Sequence, residues 1–94
     1  MTVRVFRSRH AAAEIEEIAS YLAENSPAMG QRFVAALEQA QRQLSEFPNS
    51  GAPGALPGTR RLILGSYIVS YRRRGDDVEI FAVRHARRRD ARRP

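Results

Sequence analysis

Two stretches of helical apolar periodicity abut at Asn25-Ser26-Pro27, and that junction leaves few ways to fold the first half of the chain. Ile15, Ile18, Ala19 and Leu22 recur at the spacing of one helix face, with Glu14, Glu16, Glu17 and Glu24 mostly off it. The alanine run at 11–13 favours helix, and Ser8 can cap its start. The spacing predicts a helix over about 9–24. Ser26 then suits an N-cap and Pro27 a first helical position, where a missing N–H costs nothing. Phe33, Leu37, Ala40, Leu44 and Phe47 form the second stripe, widened by Val34 and ended by Pro48. Two helices with almost no linker must fold back as an antiparallel hairpin. Their stripes cannot fully cover each other, so a sheet is needed to bury the remainder.

The sheet is legible on either side of the hairpin. Residues 3–7, VRVFR, alternate apolar and basic, with Val3 and Val5 on one face and Arg4 and Phe6 on the other. Residues 48–59 are rich in Gly and Pro and read as a loop. Three further strands follow, at 60–65, 67–73 and 78–85. They are joined by Gly65-Ser66 and by Arg74-Gly75-Asp76-Asp77, both with turn chemistry. Tyr67, Val69 and Tyr71 share a face. The order β-α-α-β-β-β gives an α+β domain, with the hairpin on one face of a small, mainly antiparallel sheet. Its 94 residues suffice for one domain, 1–94, and not for two. The uncovered face is expected to carry parts of Leu62, Leu64, Ile68 and Phe81, open until a partner lands.

Charge narrows the function. All 16 basic residues are arginine, and they are unevenly placed: residues 1–46 carry a net −1 and residues 47–94 a net +7. Such a face attracts an acidic protein or a polyanion. The segment 84–94, RHARRRDARRP, is the extreme case. No groove-reading element accompanies it, so sequence-specific DNA binding is not expected. The chain has no cysteine, which excludes disulfides and thiolate chemistry. The helix-one acids lack a histidine at ligand spacing, and no nucleotide-binding fingerprint occurs, so neither metal nor cofactor is expected. No apolar run is long enough to span a membrane and no signal peptide is evident, which points to a cytoplasmic protein.

Taken in order, these segments resemble the ParE/RelE toxin superfamily. The likeness runs through the Ser8-capped Ala/Glu/Ile helix, Tyr21-Leu22, Ser26-Pro27, Arg32-Phe33 and Phe47-Pro48-x-x-Gly51. It continues through Pro57-Gly58-Thr59-Arg60-Arg61-Leu62, Tyr67-Ile68-Val69-Ser70-Tyr71-Arg72 and Val78 to His85-Ala86-Arg87-Arg88. The resemblance implies the toxin of a bacterial type II toxin–antitoxin pair, acting in the cytoplasm and neutralised by an acidic ParD-like antitoxin. Its two main activities are poisoning of DNA gyrase by ParE-like members and cutting of mRNA on the ribosome by RelE-like members.

Chemistry separates the two. Cleavage by a 2′-OH needs a base, an acid and cations on the phosphorane. Cations abound, but His10 and His85 are the only imidazoles and lysine is absent. RelE-like relatives typically carry an arginine where this chain has Ile68, and often an aromatic residue beyond the last strand, where 87–94 has none. The expectation is therefore a gyrase poison with no catalytic residues. The alternative is a ribonuclease built on His85, Arg60 and Arg87. Arg84, His85, Arg87, Arg88 and Arg89 are the expected target-binding residues. Arg60, Arg61, Arg72 and Leu37 are the expected antitoxin-binding ones.

Overall fold

A computed structural model describes residues 2–87. The elements are β1 (Val5–Arg7), α1 (Arg9–Asn25), α2 (Pro27–Glu46), β2 (Ala52–Pro53), β3 (Thr59–Leu64), β4 (Tyr67–Arg74) and β5 (Asp77–His85). The α+β reading holds, and both helices fall within a residue of their expected ends. One element was not foreseen. The Gly/Pro-rich stretch contributes the two-residue β2, paired to Arg60 and Arg61 at the sheet edge, where Pro53 has no ladder amide to lose.

The five strands form one sheet in the order β1-β5-β4-β3-β2. Only β1 runs parallel to its neighbour β5; the other pairs are antiparallel. The Ser8 hydroxyl accepts the Ala11 N–H at 3.0 Å, the cap expected for α1. Ser26 holds the N-cap position of α2, but its hydroxyl caps nothing. Its N–H donates back to the Leu22 carbonyl at 3.0 Å, so the residue closes α1 instead. With no loop between them the helices touch at once. A Cβ on Gly30 would lie 3.0 Å from the Ala23 Cβ and 3.1 Å from the Ala19 carbonyl oxygen.

The hairpin covers one face of the sheet. Ala11, Ile15, Phe33, Leu37 and Leu44 meet Val69, Tyr71, Val78, Ile80 and Val83 in a single buried cluster, with Leu62, Leu64 and Tyr67 packed against it. Leu62 and Leu64 thus belong to the covered face and not, as expected, to the open one. They sit opposite Val69 and Tyr67, whose side chains already point at the helices. Alternation sends Ile63 to the other side, where it is 68% exposed.

Two polar devices hold this arrangement. The Gly51 N–H donates to the buried Tyr71 hydroxyl at 2.9 Å, while Arg60 donates to the Gly51 carbonyl at 2.8 Å. A Cβ on Gly51 would sit 2.6 Å from the Arg61 carbonyl oxygen and 2.7 Å from the Tyr71 hydroxyl, which explains the glycine of the Phe47-Pro48-x-x-Gly51 element. In β5, Ser70 faces Ala82 and Tyr71 faces Ile80, so Phe81 is an extra residue in a bulge. β1 pairs with β5 only from Val78 to Ile80, and beyond it the Val83 N–H would lack a strand partner. The Glu14 carboxylate of α1 accepts it at 2.8 Å. At the surface, Asp77 pairs with Arg4 at 2.7 Å. Its hydrogen bond first, and its charge second, push that guanidinium further above its ordinary range.

Candidate functional site

The bulge decides which side chains the C-terminal end of β5 can bring together. After it, the alternation restarts one residue out of step, with Val83 and His85 on the covered face and Arg84 on the open one. The expected target-binding set is therefore split by the sheet. Arg84 stands with Ile68 across β4, while His85 stands with Tyr67. Arg88 and Arg89 lie outside the described residues.

On the covered side, His85 lines a groove of about 920 Å³ between the connected end of the hairpin, where α1 runs into α2, and the β3–β4 turn. Its ring meets Tyr67 edge-on at 5.1 Å, and Tyr67 meets Phe33 at 5.2 Å, so an aromatic ladder forms the floor. Leu64, Ile18 and Leu22 extend that floor, and Arg32, Arg87 and Glu17 supply charge at the rim. Tyr21, 58% exposed, and the exposed Met29 form the upper wall. Neither Tyr21, Met29 nor Arg32 was expected at a site. Their signal in the sequence was faint: large apolar or basic residues just off the helix stripes, with nothing to show that the stripes end short of the sheet.

The contacts of His85 set the tautomer of its neutral ring. Its Nδ1 accepts the Arg87 N–H at 3.1 Å. A ring nitrogen that accepts is unprotonated, so in the neutral imidazole the proton sits on Nε2, which is a donor. The nitrogen free to meet a ligand is thus not a base in this arrangement. The Ala86 N–H donates to the Ser66 carbonyl at 2.9 Å, which ties this end of β5 to the β3–β4 turn.

The residues of the ribonuclease alternative do not converge. Arg87 shares the groove with His85. Arg60, however, sits opposite Tyr71, four residues along β4 from the Tyr67 that faces His85. That is about 13 Å along the strands and about 10 Å across them. Its guanidinium is occupied by the Gly51 carbonyl. His10, at the far end of α1, pairs with Glu14 at 3.2 Å and is remote in sequence and fold from the groove.

The expected antitoxin-binding set also divides. Leu37 is 0% exposed in the centre of the core, so no partner can touch it while the domain stays folded. It was placed on the apolar stripe correctly, but that stripe faces the sheet. Arg60 lies with Tyr71 on the covered side. Arg61 and Arg72 lie on the open side, opposite Ser70 and Glu79. Arg72 donates to Glu79 at 3.0 Å, with Arg74 at 3.5 Å from the same oxygen, and its guanidinium lies 5.0 Å over the Phe81 ring. Among the described residues no helix is long and apolar enough to cross a membrane.

Comparison with known proteins gives these surfaces a context. Residues 5–90 match the family model described as the ParE toxin of type II toxin–antitoxin system, parDE. A Sinorhizobium fredii (strain NGR234) protein named "Putative toxin Y4kP" is 38% identical over 85 residues, covering 88% of each chain. Among solved structures, a chain of the "Chromosomal ParDE TA system from P. aeruginosa" superposes with a TM-score of 0.76 at 24% identity, covering 89% of this chain and 96% of that one.

Proposed function

The chain belongs to the ParE toxin family of type II toxin–antitoxin systems, and from that premise we propose that it poisons DNA gyrase by protein–protein contact and is silenced by a cognate acidic antitoxin. The observation that carries the mode of action is the state of His85. It is the one imidazole beside the basic C-terminal segment, its Nδ1 is committed to the Arg87 amide, and no lysine or second histidine stands near it to complete an acid–base pair. Arg60, which the ribonuclease alternative needs, is held elsewhere. A cationic surface whose one imidazole is held by the backbone and whose arginines are split between places is suited to binding rather than cleavage.

The target-binding surface in this reading is the groove mouth, with His85 and Arg87; Arg88 and Arg89, next in sequence, belong to the same proposed set. Its cations complement acidic surface on the target, and its aromatic floor offers an apolar anchor point. Arginine suits such a role because its planar fork pairs bidentately with carboxylates.

Induced expression should cause filamentation and a DNA-damage response, and the purified chain should inhibit gyrase supercoiling. Replacing Arg87, Arg88 and Arg89 with serine should abolish both effects with an unchanged circular dichroism spectrum. Primer extension on a reporter transcript tests the competing activity. Cuts within codons that vanish when translation is blocked would move the protein to the ribonuclease class.

A further inference from the structure

The open face of the sheet has a composition that the covered face does not explain. Ile63 is 68% and Leu56 65% exposed; Ile63 sits opposite the half-buried Ile68, and Leu56 stands near Ile68 and the half-buried Phe81. Leu56, Ile68, Phe81 and Ala82 line a depression of about 170 Å³, and Arg61 and Arg84 line it too. Neither arginine has an ion-pair partner among the described residues. Of the carboxylates β5 puts on this side, Glu79 is already shared by Arg72 and Arg74, and Asp77 is held by Arg4.

The same face ends in an unpaired edge. β2 pairs with β3 only at Arg60 and Arg61. The Arg61 carbonyl points outward to β2, since a Cβ on Gly51 would lie 2.6 Å from it. Backbone polar groups alternate along a strand in an antiparallel ladder, so the N–H and C=O of Ile63 point outward as well, past the end of β2. An edge with an exposed branched side chain is a template for another strand.

We propose that an extended, acidic segment of the antitoxin pairs along this β3 edge at Ile63 and lays its apolar side chains into the Leu56–Ile68–Phe81 depression, with its carboxylates on Arg61 and Arg84. The inference rests on the toxin–antitoxin reading above and adds to it a location, a backbone register and a reassignment of Arg84 from target to antitoxin. Main-chain pairing supplies affinity in this mode and alternate side chains supply selectivity. A second copy of this chain is disfavoured as the occupant, because each copy brings the same unpaired arginines and a net charge of +6. Single-stranded nucleic acid is disfavoured because the centre is aliphatic, and the one aromatic ring, Phe81, already has Arg72 over it.

The test is hydrogen exchange on the full chain, alone and saturated with the acidic protein encoded by the adjoining reading frame, with a dT12 oligonucleotide as a second probe. The Ile63 amide should exchange freely in the isolated chain and slow by about tenfold or more in the antitoxin complex. An Arg61→Glu/Arg84→Glu double variant should weaken antitoxin binding by about a hundredfold or more while melting as wild type does. Ile63→Pro should also weaken it, since the lost amide faces outward and the ladder to β4 is kept. If that variant does not fold, the wild-type exchange and the charge reversal still decide. An Ile63 amide that stays unprotected in a saturated complex overturns the proposal and leaves the toxin–antitoxin reading standing. So does a charge-reversed variant that binds normally. Protection by dT12 and not by the acidic protein assigns the face to nucleic acid and also overturns it. A wild-type chain that is neither toxic nor bound by the acidic protein removes the underlying reading, and the proposal with it.

Discussion

The two faces of the sheet are built from the same strands and do opposite things. On the covered face, Val69, Tyr71, Val78, Ile80 and Val83 are shut under the hairpin. On the open face, the alternate residues of the same strands are Ile63, Ile68, Arg61, Arg72 and Arg84, wholly or partly in water. One residue of displacement along a strand therefore moves a side chain from the core to the surface. The β5 bulge sharpens the lesson. Alternation alone would part the neighbours Arg84 and His85; the bulge decides that His85 is the one under the helices and Arg84 the one on the open face.

Substitutions can break this division, and the largest effect should come from the core. Leu37→Ala should cost about 2–5 kcal/mol, because a fully buried leucine leaves a cavity on truncation. In a domain of 94 residues that is a large part of the total. Urea denaturation measures it, and a loss below about 1 kcal/mol would mean that the hairpin is not sealed on the sheet as described.

Gly51→Ala comes next, with an expected loss of about 1–3 kcal/mol from a methyl group forced against the Arg61 carbonyl and the Tyr71 hydroxyl. Tyr71→Phe removes the hydroxyl from that site. The double variant should therefore be less destabilised than the sum of the two single ones, which a double-mutant cycle reads directly.

Glu14→Ala probes the link between helix and bulge. It should cost about 1 kcal/mol, since the Val83 amide loses its acceptor in a part-buried setting. Exchange of the Val83 amide should accelerate in step. An unchanged rate would show that the bulge is held by β4 pairing alone.

The smallest effect on stability belongs to the open face. Arg84→Ser should shift stability by no more than about 0.5 kcal/mol, since the side chain is exposed and unpaired among the described residues. The same variant should lose affinity for the antitoxin while keeping toxicity, whereas Arg87→Ser should do the reverse. Colony formation with and without antitoxin co-expression separates them. Identical phenotypes for the two variants would erase the distinction between the faces.

Several elements were determined by the sequence alone. The helix hairpin, the meander and the family likeness follow from periodicity, turn residues and the abrupt Asn25-Ser26-Pro27 junction. All of these are local signals, read over a few residues. What was not legible depended on which partner each strand found. The parallel pairing of β1 with β5 is a contact between residues more than 70 positions apart, and no local pattern encodes it. The same holds for β2, which exists only because β3 passes beside Ala52 and Pro53. Leu62, Leu64 and Ile63 form an unbroken apolar run, and a run without alternation cannot tell which of its faces is inward. That was decided by Val69 and Tyr67 across the ladder. Leu37 was legible as apolar, but whether its stripe met the sheet or a partner was settled by the tertiary packing that buries it. Which of Arg84 and His85 takes the covered face rests on a one-residue bulge at Phe81. A bulge belongs to the pairing of two strands and not to the pattern of either one, so it appears only once β5 is laid against β4.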